Sequence, residues 1–175
     1  MHSELPKQAS RACAGRATAS RPLTEVLCLR CCLPYPRGGF SEDCWHVYPK
    51  KWDEKPYDVI ENRMKSTKVS AEFAFSGDLE GTASVEYLMF YKAFDPVDPH
   101  RSVAQYVGLI QFSGTLKGKF GSFAMIDNGT YEAGAAISKV SLVAGSGTGE
   151  LSKITGEGGY KADQTGCTWQ LEVLL

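Results

Sequence analysis

Histidine is scarce in this chain. There are three in 175 residues, and only His100 lies beyond residue 50. No Ser-His-Asp or Cys-His arrangement can therefore form in the last 125 residues without His100. An excess of charge of one sign is also lacking. The 19 Lys+Arg face 20 Asp+Glu for a net charge of −1, which leaves nucleic acid and membrane surfaces unsupported as partners. No apolar run approaches the roughly 18 residues that span a bilayer as a helix, so a soluble, cytoplasmic protein is expected. Gly145-Ser146-Gly147-Thr148-Gly149 lacks the Gly-Lys-Ser/Thr ending and following helix of a phosphate loop, and reads as a turn. Helical periodicity is missing too, apart from a short turn suggested near Tyr57 to Met64.

What is present divides near residue 50. Residues 1–50 carry 7 basic and 4 acidic side chains and five of the six cysteines, whereas residues 51–175 carry 12 and 16. From Met1 to about Arg21 the text is Ala, Ser and Arg, too polar to bury enough surface to offset its ordering entropy. Residues 1–44 are expected to be a disordered leader and residues 45–175 the folded domain. Arg11, Arg16 and Arg21 in an Ala/Ser background also fit a mitochondrial transit peptide, the minor alternative. Cys28-x-x-Cys31 with Cys44-x-His46 has zinc-ligand chemistry. The second pair is too closely spaced for a usual knuckle and little apolar text surrounds it, so reduced cysteines and no metal are expected.

Beyond residue 50 the dominant period is two. Thr67 to Phe75 alternates Val69, Ala71, Phe73 and Phe75 with Lys68, Ser70 and Glu72, the mark of a half-buried strand. The same alternation predicts strands over Glu80–Tyr91, Val103–Phe112, Phe120–Ile126, Gly129–Ala133, Ala136–Val143, Ile154–Lys161 and Cys167–Leu174, with Trp45–Asp53 as a ninth candidate. Asn128-Gly129 reads as a two-residue hairpin turn, and Ser76-Gly77-Asp78 and Lys117-Gly118-Lys119 as further turns. Many short strands with tight turns favour a sandwich or an up-and-down barrel. Gly81, Gly108 and Gly121 inside strand text favour the barrel, as side-chain-free corners.

Trp52-Asp53-Glu54-Lys55-Pro56-Tyr57, Gly77-Asp78-Leu79-Glu80-Gly81, Val85-Glu86-Tyr87-Leu88-Met89-Phe90-Tyr91, Tyr106-Val107-Gly108-Leu109 and Gly145 to Leu151 carry a resemblance. In order, and to the C-terminus, this text resembles a family of small single-domain proteins known only as a domain of unknown function, itself similar in fold to the allene oxide cyclase barrels. The resemblance implies an all-β, closed antiparallel up-and-down barrel of about eight strands with a central cavity. The chain departs from the family where Pro49 interrupts the first strand, which places that strand at an edge, and where Ile110-Gln111 replaces a Glu-Arg pair.

An eight-stranded barrel is either filled by side chains or just able to hold one small ligand. Aromatic residues are plentiful at cavity-facing parity, and Trp52, Tyr106, Phe123 and Trp169 are the expected walls. Glu54, two residues from Trp52 on the same face, is the candidate proton shuttle, with Tyr87 and Tyr91 as orienting donors. Glu86 has the opposite parity to Tyr87. It is solvated if Tyr87 points inward, and a ligand-binding carboxyl with a raised pKa if its own face lines a pocket. Asp95, Asp98 and His100 form a weak metal-ligand set in a proline-bounded loop.

The resemblance suggests a cofactor-free isomerase or cyclase acting on a small apolar compound, such as a secondary metabolite. The alternative is a non-catalytic carrier for a small hydrophobic ligand, which requires the same walls but no buried titratable group. A filled barrel acting through its surface, as a homodimer, is the third reading.

Overall fold

The computed structural model describes residues 26–31, 44–59 and 64–175. It is all-β, with nine strands: β1 (Val26–Cys31), β2 (Cys44–Val59), β3 (Lys65–Ser76), β4 (Leu79–Ala93), β5 (Val103–Leu116), β6 (Lys119–Glu132), β7 (Ala135–Leu142), β8 (Thr155–Asp163) and β9 (Gly166–Leu174). Strands β2 to β9 form one antiparallel meander in chain order. No helix among the described residues is long and apolar enough to cross a membrane.

The eight antiparallel strands do not close into a barrel by themselves, which corrects the expected topology. No ladder joins β2 to β9 among the described residues, and the ring passes through β1. That strand runs antiparallel to β9 from Val26↔Leu174 to Arg30↔Gln170 and meets β2 in parallel at only two positions, Arg30↔Cys44 and Cys31↔Trp45. Among the described residues, β2 has no second neighbour beyond Trp45. Its two prolines sit at register shifts, Pro49/Lys51 and Pro56/Asp58, where a missing N–H leaves no ladder bond unmade.

The leader expected to be disordered thus contains a strand, Val26–Cys31. Residues 1–25 and 32–43 and the transit-peptide reading lie outside the described residues, as do the side chains of Cys28, Cys31, Cys44 and His46. The helical turn expected near Tyr57 to Met64 is strand through Val59, and residues 60–63 lie outside the described residues.

The period-two text becomes a clean in/out pattern. In β4, Val85, Tyr87, Met89 and Tyr91 are buried while Glu86, Leu88 and Phe90 are exposed. The largest departure is in β6. Asn128-Gly129 is not a turn: pairing with β5 runs unbroken from Leu116↔Lys119 to Ala104↔Tyr131. The hairpin comes later, at Ala133-Gly134, whose φ values of 51° and 76° are those of a type I′ turn. Lys117-Gly118 makes the corresponding β5–β6 turn, with φ values of 47° and 80°.

One end of the curled sheet is filled. Phe112 packs tilted on Phe123 at 4.9 Å and edge-on to Phe75 at 5.7 Å, with Leu79, Leu116 and Met125 around them. The β7–β8 connection seals this end. Gly145 to Gly149, expected as a simple turn, belongs to a longer strap lying along β6, with Thr148 N donating to Ser122 O at 2.9 Å and Val143 N to Ala124 O at 2.8 Å. The strap ends in a single 3-10 turn, Gly149–Leu151, that drives Leu151 and Ile154 into the core. Gly121 leaves room for the strap, since a Cβ there would stand 2.2 Å from Thr148 O.

Leu151 is fully buried, so Leu151→Ala should cost about 2–5 kcal/mol through lost transfer energy and an unfilled cavity. A shift in the denaturation midpoint with an unchanged denaturant slope would agree, and a loss below about 1 kcal/mol would show that the strap does not hold this end.

Candidate functional site

The opposite end is hollow. A cavity of about 680 Å³ lies under the β4–β5 loop and the β6–β7 and β8–β9 hairpins, and its lining includes both margins of the unpaired seam: Val47, Pro49 and Trp52 on β2, and Gly166, Cys167 and Trp169 on β9. Alternation along each strand sends rings into this space, among them Phe73, Tyr87, Tyr91, Tyr106, Tyr131 and Tyr160. Trp169 stacks on Tyr160 at 4.4 Å, and Tyr87 packs edge-on to Tyr106 at 5.4 Å.

Behind these rings lies a fully buried carboxyl, Asp127 on β6. Its Oδ2 accepts from the Tyr87 and Tyr160 hydroxyls, each at 2.9 Å, and its Oδ1 accepts from Ser138 Oγ. The Tyr160 and Tyr106 oxygens share a further bond at 3.0 Å in which either can donate. Burial raises the Asp127 pKa above its ordinary value, and the bonds from Ser138, Tyr87 and Tyr160 partly offset this. Burial likewise raises the Tyr87, Tyr106 and Tyr160 pKa values, so these phenols keep their protons.

Sheet register explains how side chains on separate strands reach one point. Tyr87, Gly108 and Asp127 occupy one rung across β4, β5 and β6. The next rung is Tyr106, Gly129, Ser138 and Tyr160 across β5 to β8. Strands two apart are roughly 10 Å apart, so each ring must lie flat over the strand between. The glycines permit it: a Cβ on Gly108 would stand 2.2 Å from Tyr87 Cδ1, and one on Gly129 would stand 2.4 Å from Tyr106 Cζ. Gly108 is therefore a seat for a ring, not the corner expected of it.

A second carboxyl stands near the mouth. Glu54 faces inward opposite Val69, and its Oε1 accepts from Thr67 Oγ1 at 2.8 Å and from the Tyr91 hydroxyl at 2.9 Å, while Trp52 Nε1 approaches Oε2 at 3.4 Å. Lys65 Nζ sits 3.4 Å from the Phe94 ring centroid and 4.7 Å from that of Tyr91, a cation–π clasp on the mouth. His100 Nδ1 lies 3.3 Å from the Tyr131 hydroxyl. Asp95 and Asp98 accept backbone N–H bonds within the loop, the former from Val97 and Asp98 and the latter from His100.

Of the residues expected from sequence, Trp52, Tyr87, Tyr91, Tyr106 and Trp169 line the cavity. Glu54 is bonded to Tyr91 and stands just behind the lining. Tyr87 does not serve Glu54; its hydroxyl is bound to Asp127. Phe123 is not a wall but part of the filled end, where it packs on Phe112. Glu86 is on the outer face, bonded to Ser70 at 2.9 and 3.0 Å and paired with Lys68 at 3.2 Å. The Ser70 bond chiefly lowers its pKa, the reverse of the shift expected of a pocket carboxyl. Asp127, Ser138 and Tyr160 were missed. Reading Asn128-Gly129 as a turn cut β6 at that point, although the inward parity of Phe123, Met125, Asp127, Gly129 and Tyr131 runs straight through it.

Residues 48–172 match the family described as Protein of unknown function (DUF3224). Among solved structures, the chain is similar to the crystal structure of a protein of unknown function from the DUF3224 family of Shewanella oneidensis MR-1. The TM-score is 0.56 at 22% sequence identity, over 74% of this chain and 96% of that one. No curated protein matches the sequence.

Two substitutions test the site. Because the folded-state pKa of Asp127 is raised above its ordinary 3.8, its contribution to stability is full below that value and is lost as pH rises through the folded pKa. The stability of wild type relative to Asp127→Asn should therefore fall between mildly acidic and alkaline pH; carboxylates common to both proteins, such as Glu86, cancel. A flat difference across urea melts would refute the raised pKa. Gly129→Ala should cost about 1–3 kcal/mol by displacing the Tyr106 ring, and in a double-mutant cycle it should cost less when Tyr106 is already Ala; an equal cost in both backgrounds would place the strain elsewhere, as at Ile137 O, 2.8 Å from such a Cβ.

Proposed function

Since the chain belongs to the DUF3224 family of proteins of unknown function, we propose that it is a small-molecule cavity protein, acting as a cofactor-free isomerase or cyclase on a small apolar, unsaturated compound. The observation that carries this reading is the buried Asp127 carboxyl bonded to phenols that face an aromatic-lined cavity of about 680 Å³. A passive pocket has no use for a buried ionisable group, which costs free energy to desolvate. A carboxyl whose pKa is raised by burial and which is held by hydroxyls can exchange a proton through a phenol. An isomerisation takes one proton from the substrate and returns one elsewhere, so no redox partner or metal is needed. The rings would hold a flexible chain in a reactive fold, and orientation alone can lower such a barrier substantially. That is the sense in which the curled sheet is read as allene oxide cyclase-like.

One observation favours the carrier alternative. Asp127 has no exposed surface and stands behind the phenols, so the rings alone could serve binding.

Native mass spectrometry of protein purified from its own source should reveal a bound apolar molecule. Incubation of that molecule with fresh protein should give an isomer of unchanged mass, with Asp127→Asn slower by roughly a hundredfold. A molecule that binds and returns unaltered would support the carrier. A bare mass with no thermal shift across apolar aromatic probes would overturn both readings.

A further inference from the structure

The hydroxyl chain has a direction, and counting protons shows what sets it. Four hydrogen bonds link the carboxyl and the phenols in series, Tyr87, Tyr160 and Ser138 to Asp127 and Tyr106 with Tyr160, while Ser138 also interacts with the Tyr106 hydroxyl and Tyr160 with that of Tyr87. Four hydroxyl groups supply four protons. With Asp127 ionised, every bond has its proton. Tyr160 uses its single O–H on Asp127, so Tyr106 must donate to Tyr160 and only lone pairs of the Tyr106 oxygen remain for the cavity. With Asp127 protonated, there are five protons for the same four bonds. The carboxylic O–H can then donate to Tyr160, whose O–H turns to Tyr106, and the Tyr106 O–H is released. Donation to Tyr87 releases the Tyr87 O–H in the same way. Tyr87 and Tyr106 both line the cavity.

We infer that the Asp127–Tyr160–Tyr106 chain is a reversible hydrogen-bond relay, and that with Asp127 protonated the cavity selects ligands carrying a neutral carbonyl oxygen on an apolar, ring-bearing body. This deepens the small-molecule reading of the cavity and rests on it. The remainder of the cavity fits such a body, since Tyr160 and Trp169 offer a stacked pair of ring faces. The groups facing the relay are neutral: Tyr87 from β4, Tyr106 from β5, Ser138 from β7 and Tyr160 from β8, with Cys167 of β9 close to Tyr106. No ion pair among the described residues involves Asp127, so only the three hydroxyl donors favour its ionised form, against the cost of burial. A neutral acceptor gains a donor when the relay reverses. When Asp127 is ionised, the same oxygen meets lone pairs and is disfavoured.

Two probes of matched shape test this on the full chain: 2-acetonaphthone, which carries the carbonyl, and 2-ethylnaphthalene, which does not. Affinities come from tryptophan fluorescence over a pH series from about 3.5, below the ordinary carboxyl pKa, to about 9. The ketone should bind roughly three- to tenfold more tightly than the hydrocarbon at the acidic end of the series, with its carbonyl stretch shifted to lower frequency, and the preference should vanish at the alkaline end. Tyr106→Phe removes one hydroxyl and no ring, and should abolish most of the preference while leaving hydrocarbon binding intact. Asp127→Asn places an amide N–H where the carboxylic O–H would be, and should make the preference independent of pH. Equal binding of both probes across the series overturns the relay while leaving the cavity reading standing. A pH dependence that persists in Asp127→Asn assigns the titration to another group and also overturns it. If neither probe binds at any pH of the series, the cavity reading fails and the relay falls with it.

Discussion

The carboxyl of Asp127 is held where water cannot reach it, and much of the surrounding structure follows from meeting its hydrogen-bonding needs. Three donors must converge on two oxygens from three other strands. Phenols are long enough to do this only if they lie across the sheet, and two rings of the cluster, Tyr87 and Tyr106, cross positions that have no Cβ. Gly108 and Gly129 supply that space, each one strand over from the tyrosine it seats. The register is locked as a consequence, because a slip of one residue would turn Asp127 outward and place a side chain under a ring.

This arrangement divides the curled sheet into two ends with different physics. The end around Phe75, Phe112 and Phe123 is close-packed and sealed by the strap that inserts Leu151 and Ile154. The other end carries rings with hydroxyl tips, which keep it from collapsing into a plain hydrophobic core. Hydroxyls bonded to a buried carboxylate cannot be withdrawn without orphaning it, at about 1–3 kcal/mol or more. Beyond Trp45, where β2 carries Pro49 and pairs among the described residues with β3 alone, β2 borders the cavity on one side, and β9 borders it on the other. Two carboxyls occupy distinct settings there. Glu54, half-buried, meets Trp52, Thr67 and Tyr91 near the mouth, while Asp127 is deep and sees only hydroxyls.

Much of this was legible in the residue order. Alternation in Val69 to Phe75 and Val85 to Tyr91 marks inward faces that are largely buried, and Trp52, Tyr91, Tyr106 and Trp169, expected from sequence at the cavity, line it. The Glu54–Tyr91 bond joins two residues singled out from sequence. The misread turn and the missed carboxyl share a cause. Asn-Gly is a strong local turn signal, but the Tyr106 ring requires a glycine at 129 and β5 pairs with β6 straight through it. Tertiary packing overrode local preference, and the carboxyl one residue before the supposed turn was lost with it. Phe123 was misplaced for a different reason: parity tells inside from outside but does not say how deep along the barrel a residue lies.

The sequence by itself determined the class of structure, the inward and outward faces and the aromatic character of the interior, because these depend on neighbours one, two and four residues apart. Only the tertiary structure decided which end of the sheet is filled, that β1 bridges its margins, and that Tyr87, Tyr106, Ser138 and Tyr160 meet around Asp127. Those contacts join residues 11 to 54 positions apart, and they arise from strand register and from rings crossing glycines, neither of which a one-dimensional pattern of residue types contains.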